Sequence, residues 1–581
     1  MERVIIDGGK SRYHIVTSRV PHDAEIYAAS VLYEYLYKAT GVLVPMFSDV
    51  VRCPKRSPEI LIGSGVRGIT ADTGDIKDDG FVIKTAGEDI IIAGKTPRGT
   101  VYGVYSFLER YIGFKCFTKD VETFDCLDRI AVEDISISSE PAFEYREVYF
   151  RQAFDPDFCI KNGLNSNLAP IPAEKGGKLK FFNFHHSFNE LVPPEEYYDE
   201  HPEYFSLADG KRLKEDTQLC LSNGDVFKIA RRTLRKWITE NPTCKVFSVA
   251  QNDWLNYCTC ENCRRLDDRY GTPAASVIDF VNRLAYDIKD EFPDVLLHTF
   301  AYQYTKKAPI GMKVADNVIV RLCNIECSWG MPMDKQAALD PASDAAGFVK
   351  NISDWGAMSR HLYIWDYACN FSNYLLPFPN YRTMPRNLRL YKTYNVAGVL
   401  QQGNFSYGEA AGLADLKSYL AARLLWDPNR DENRLIDEFL IGVYGRECYP
   451  FMKEYVDMLC EAVDGRRLRL YQNTDADYIT DELVKRAEEL FSEALSVVKS
   501  EKSRWYLRKE YLTVLFMKAA RMPLCDLERS RLIDLLYSGV KEFGITEIRE
   551  RRPLDISFDN LRNSQYGTAR DNEYVLYYIM K

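Results

Sequence analysis

From Pro141 onward the chain alternates short apolar runs with helical segments, and this rhythm narrows the fold more than any other feature. Eight runs read as strands: "EYREVYF", "GLNSNLA", "LKFFNFHH", "KVFSVAQ", "VLLHTFAY", "VIVRLCNI", "HLYIWDY" and "GVLQQGN". Strands separated by helices predict a parallel β/α architecture. Eight of them fit a (β/α)8 TIM barrel over residues 141–425. Reactive side chains in such barrels stand at the C-terminal ends of strands. Here those ends carry Arg151, Asn165, His185, His186, Asn252, Asp253, Tyr302, Glu326, Trp365, Asp366, Gln401 and Gln402.

The flanks differ. Residues 1–140 predict a small α+β domain. "RVIIDGG", "EILIGSG", "GFVIKTAG" and "DIIIAGKT" are strand runs, and "DAEIYAASVLYEYLYKATG" is an amphipathic helix closed by Gly41. Residues 426–581 carry apolar residues at three-four spacing and predict a helical C-terminal domain. A chain of 581 residues needs more than one core, in keeping with three parts.

A net charge of −9 argues against a nucleic-acid partner, whose phosphates it would repel. No apolar run is long enough to span a membrane. The start "MERVIIDGG" is already a strand pattern, with no secretory h-region. The 15 cysteines, Cys53 and Cys525 among them, are scattered and odd in number, so no disulfide framework is expected. Aromatic residues make up 13% of the chain. That suits either core packing or stacking on sugar rings.

The stretch "KVFSVAQNDWLNYCTCENC" holds the most chemistry. Cys258, Cys260 and Cys263 are close enough to share a tetrahedral metal. A fourth ligand would have to come from Cys220, Cys244 or His201; otherwise the cysteines form a reduced, partly buried loop or a local disulfide. No cofactor or catalytic metal is expected, because no HExxH or His-rich ligand set exists. A glycosidase needs a positioned acid and a means of stabilising the oxocarbenium-like centre. Asp253, Glu190, Glu326 and Asp366 are the candidate carboxylates. Asn252 beside Asp253 suits a substrate bearing a 2-acetamido group, which the amide orients while the acid protonates the leaving oxygen. His185 and His186 are adjacent on a predicted strand, so only one should face the mouth unless the strand has ended. Tyr302, Trp329 and Trp365 would wall the sugar, with Gln402 on the same rim.

Two sets of segments carry a family resemblance. "GKTPRGTVYGVYSFLERYIGFKCF" resembles the α+β domain that precedes the barrel in family 20 hexosaminidases and family 67 α-glucuronidases. "HSFNELVPPEEYYDEHPEYFSLADGKR", "QLCLSN" and "QNDWLNYCTCENC" resemble the Bacteroides-type proteins of glycoside hydrolase family 163. The resemblance implies a retaining endo-β-N-acetylglucosaminidase that cuts the chitobiose core of N-glycans by substrate-assisted catalysis. It places Asn252 and Asp253 on the Asp-Glu pair that ends strand four in family 20. It also implies a supporting role for a histidine of "HHS". Asp in place of Glu shortens the acid by one methylene, which makes Glu190 a rival. A glycan or glycoprotein substrate implies a periplasmic or surface enzyme whose signal has been removed, whereas the free-looking cysteines fit the cytoplasm. Two other functions stand beside this one. One is an exo-acting hexosaminidase or α-glucuronidase; the uronate-specific form needs a cation for the sugar carboxylate, which Arg151 could supply. A non-catalytic glycan-binding barrel would keep aromatics without a spaced acid.

Overall fold

The computed structural model describes residues 2–51 and 57–564; Cys53 and residues 565–581 lie outside them. Seven of the eight expected strands form one parallel sheet: β1 (Tyr145–Val148), β2 (Phe181–Phe182), β3 (Val246–Ser248), β4 (Leu296–Ala301), β5 (Val318–Cys323), β6 (His361–Tyr367) and β7 (Val396–Gln402). Their order is β1-β7-β6-β5-β4-β3-β2. The sheet curls until Tyr145 of β1 and Phe181 of β2 pack at 5.2 Å. β1 and β2 do not pair, so the barrel is open along one seam.

The eighth run, "GLNSNLA", fills that seam without becoming a strand. Its polar side chains replace the ladder. Asn165 Oδ1 accepts the Arg146 N–H at 3.0 Å, and Asn167 Oδ1 accepts the Phe181 N–H at 2.9 Å. Ser166 and the Asn167 N–H bond to buried Glu147. Short polar side chains that can bond to backbone compete with sheet pairing, and here they win. The N-terminal region braces the same seam. Its Asp79 pairs with Arg98 and with fully buried Arg146, each at 2.6 Å. Burial alone would raise the Asp79 pKa, but the two guanidiniums hold it below the usual carboxylate range.

Before the barrel lies a six-stranded sheet packed on helices Asp23–Thr40 and Pro97–Ile112. Gly41 and Gly113 end these helices in the left-handed region, at φ 71° and 65°. From Ala414–Trp426 onward the chain is helical through Leu554–Asn563. Among the described residues no helix is long and apolar enough to cross a membrane, and the fourteen described cysteines are all free.

Helix Glu501–Arg521 presses polar residues into the junction with the barrel. Glu510, 1% exposed, accepts the Leu413 N–H at 2.8 Å. Burial pushes its pKa up to about 7. Between about pH 4.5 and 7 the folded chain therefore keeps a proton that the unfolded chain releases, and stability falls as pH rises through that window. Glu510→Gln, which cannot ionise, should gain thermal stability relative to the parent from pH 5 to pH 8. Melting curves at four pH values check this; a pH-independent difference would refute it.

Candidate active site at the C-terminal mouth of the sheet

Both histidines reach the mouth because β2 stops at Phe182. Asn183 follows with φ 49°, a left-handed turn that asparagine tolerates. Strand alternation no longer applies beyond it. Ser187 ties this loop to the end of β3, donating to Ser248 O at 2.8 Å and accepting the Ala250 N–H at 3.0 Å.

His186 Nδ1 lies 2.5 Å from Gln251 O, a carbonyl that can only accept. Nδ1 therefore carries a proton, and Nε2 faces Asp253 Oδ1 at 3.9 Å. Gln303 Nε2 approaches the same carboxylate oxygen at 3.4 Å. Gln303 holds φ 55°, a strained geometry for a non-glycine residue and one that clusters at functional sites. The Asp253 side chain is 46% exposed at the rim.

Aromatic rings wall this pair. Phe300 lies 5.0 Å and Tyr302 6.2 Å from the His186 ring. Trp365 packs on Phe184 and Phe300, both at 5.8 Å, and its indole N–H donates to Gln402 at 2.6 Å. Under this floor sits the buried Arg321 guanidinium, 4.4 Å from the Phe184 ring. The His185 pKa drops to about 4, first through burial and then through His186, Arg321 and Arg551. The loop after β7 adds Phe405 and Tyr407, 39% and 70% exposed and 5.9 Å apart. Two exposed rings at the mouth suit sugar stacking.

More carboxylates converge here. Glu326 pairs with Lys306 at 3.1 Å. The C-terminal segment 544–551 folds over the mouth, held by Glu550 N–H to Phe371 O at 3.0 Å and Tyr374 N–H to Ile548 O at 2.8 Å. It brings Glu550, whose pKa is raised by burial and further by Asp253 and Glu547 against the pull of Arg551. Glu550 and Arg551 have no signal in the sequence reading. Phe405 and Tyr407 could have been found there, as aromatics in a Gly-flanked loop directly after the last strand.

Other expected site residues stand elsewhere. The Asn252 amide is turned into the loop beneath, donating to Asn189 Oδ1 and Thr217 O, each at 2.7 Å, and accepting the Asn189 N–H at 3.2 Å. β3 ended at Ser248, before the residue, so strand parity does not aim it. Asp366 is buried against the helix layer. It accepts from Asn324 (2.8 Å), Trp329 (3.0 Å), Tyr367 N–H (2.9 Å), Tyr391 (3.0 Å) and Gln401 (2.9 Å). Trp365 faces inward, so its neighbour must face outward. Trp329 is 1% exposed and packs on Tyr367 and Phe378, so it walls no sugar. Tyr302 is 8% exposed and backs His186. Arg151 is half-buried in the turn after β1. Glu190, in the short helix Phe188–Leu191, has its pKa raised by partial burial, and no mouth carboxylate contributes to that shift.

Asp366→Asn would set an amide N–H against the Tyr391 hydroxyl or the Gln401 amide. It should cost about 1–3 kcal/mol of stability, as for other buried unmatched polar groups. If the chain acts on a glycan, the folded variant should do so at the parental rate. A variant of parental stability with lost turnover would instead make Asp366 catalytic.

The barrel's other end holds a cavity of about 530 Å³ between Pro141, Trp426 and the N-terminal helix Pro97–Ile112. Its Glu109 is already paired with Arg423 and Arg430, and barrel chemistry belongs at the opposite face. Beside the mouth, Cys220 joins Cys258, Cys260 and Cys263, and the four sulfurs lie within 4.8 Å of one another. His201 instead pairs with Glu203 at 3.1 Å.

Residues 116–457 match the model of a family described as a domain of unknown function, DUF4838. None of the curated proteins matches the sequence. Among solved structures the fold is similar to BtGH115A, described as a family GH115 4-O-methyl-α-glucuronidase with specificity for decorated arabinogalactans. The two share 10% identity with a TM-score of 0.56, over 97% of this chain and 78% of that one. Weaker likenesses are CpGH84B (TM-score 0.48, 14% identity, 98% and 95% covered) and a GH138 enzyme targeting pectin rhamnogalacturonan II (0.46, 12%, 97% and 77%). The likeness to BtGH115A gives the chain a glycoside-hydrolase-like fold.

Proposed function

We propose that this chain, which belongs to the DUF4838 family, is a glycoside hydrolase acting at the C-terminal mouth of its curled sheet. The observation that carries the reading is the His186–Asp253 pair at 3.9 Å, set in an aromatic-walled mouth with Glu326 and Glu550 nearby. The finer assignment, a retaining endo-β-N-acetylglucosaminidase acting on N-glycans, draws on the family 163 resemblance of the "QNDWLNYCTCENC" loop. Such substrates lie outside the bacterial cytoplasm, so the proposal carries a periplasmic or surface location.

In this reading Asp253 gives its proton to the leaving oxygen as the acetamido oxygen of the substrate attacks the anomeric carbon. Asp253, now ionised beside His186, then takes a proton from the water that opens the ring-fused intermediate. Two inversions retain configuration. Asn252 holds the loop, and the amide beside Asp253 belongs to Gln303. We assign the orienting of the acetamido group to Gln303.

Arg551 favours a second reading. It is a cation over the mouth, near enough to His185 and Glu550 to shift both. It could hold the carboxylate of a terminal uronate, making the enzyme an exo-acting uronidase. Incubation with an N-glycoprotein and mass analysis of the products separates the cases. A single GlcNAc left on protein supports the endo reading. Uronic acid released from a uronate-capped glycan, with N-glycans untouched, supports the second. No sugar released from either would sink both.

A further inference from the structure

We propose that Cys220, Cys258, Cys260 and Cys263 form a closed tetrathiolate zinc site that staples the loop carrying Asp253. The site stands on geometry. The four sulfurs lie within 4.8 Å of one another, and Cys220 Sγ is 3.7 Å from Cys260 Sγ. A tetrahedron with Zn–S bonds of about 2.3 Å has edges of about 3.8 Å. A disulfide would need about 2.05 Å. Three of the cysteines are buried and Cys260 is half-buried, so the set is closed and leaves no position for substrate. Four soft sulfur ligands in this arrangement select zinc over hard cations.

The surroundings fit a bound ion as well. Four thiolates on Zn²⁺ leave two negative charges. The Leu207 N–H points at Cys258 Sγ at 3.4 Å, and Arg212 Nη1 lies 3.7 Å from the same sulfur. The Ser222 hydroxyl is 3.1 Å from Cys263 Sγ and 3.6 Å from Cys260 Sγ. Metal ligands are commonly held by such outer hydrogen bonds.

The consequence is positional. Cys220 and Cys260 are 40 residues apart in sequence, so the ion closes a long loop. On the Cys220 side, Gln218 accepts the Asn252 N–H at 2.9 Å and donates to Asn252 O at 2.8 Å and Trp254 O at 2.7 Å. On the other side, Thr259 is tied to Leu207 at 2.8 Å. Asp253 lies between these anchors.

The test is metal analysis of the wild-type chain purified without chelator. The expected result is about one zinc per chain. Exchange with cobalt should give thiolate-to-metal charge transfer and tetrahedral d–d absorption. All four cysteines should resist alkylation until a strong chelator is added. Cys263→His, which keeps four ligands, should retain the metal, while Cys220→Ser should lose it. If Cys220→Ser fails to fold, the wild-type measurements decide alone. Disulfides mapped among these four residues, iron in place of zinc, or four freely alkylated thiols with no metal would each overturn the proposal.

Discussion

Asp253→Asn is expected to lower turnover by at least about 10²-fold, the scale of a lost general acid or base, with thermal stability nearly unchanged. The side chain is nearly half exposed, and its neighbours His186 and Gln303 are 3.9 and 3.4 Å away. The substitution therefore removes a charge without unburying a core. The loss should shrink on substrates whose leaving group departs without a proton. Glu190→Gln, Glu326→Gln and Glu550→Gln are the comparators. Glu550 is the sharpest rival, because burial, and then Asp253 and Glu547 against the pull of Arg551, raise its pKa. If Glu550→Gln carries the leaving-group dependence and Asp253→Asn does not, the proton comes from the C-terminal segment. Near-normal turnover in both would remove the catalytic assignment.

The strands were legible because apolar runs of that length between helices have few other uses. "GLNSNLA" was misread because its asparagines make side-chain bonds that imitate a ladder, which a hydrophobic pattern cannot distinguish. The parity of β6 could have been read further. Trp365 and Asp366 are neighbours on one strand, so assigning both to the mouth contradicts the two-residue period. The inward Trp365 and the outward, five-fold bonded Asp366 follow that rule. At β2 the rule fails, because the strand ends before the histidines. Cys220 was one of three possible fourth thiol or imidazole partners, and only folding selects among them. Glu550 and Arg551 stand far along the chain from the barrel. No local pattern reports that a later segment folds back over the mouth; the backbone bonds to Phe371 and Tyr374 do.

Lys509, on helix Glu501–Arg521, should be costly to lose. It is 0% exposed, yet charged. Burial would lower its pKa, but Asp415 and Glu409 overrule this and hold the ammonium charged. Its Nζ donates to Asp415 at 2.7 Å and to Glu409 at 3.2 Å. Gln152, just past β1, donates to the other Asp415 oxygen at 2.8 Å, and Lys119 of the N-terminal region reaches Glu409 at 2.9 Å. One network thus joins the three parts of the chain. Lys509→Met keeps the volume but leaves Asp415 charged and buried without its cation. The expected cost is about 3–5 kcal/mol, as for other broken buried pairs. Adding Asp415→Asn removes the stranded charge, so the double variant should recover more than half of the loss, which a double-mutant cycle by urea unfolding would measure. The Glu409 N–H bonds to Gly544 O at 3.1 Å, at the root of the segment that carries Glu550. The single variant should therefore also loosen the mouth, raising KM before global unfolding. A loss under about 1 kcal/mol, against the scale set by uncompensated buried charges, would mean that apolar packing rather than this network fastens the helices to the barrel.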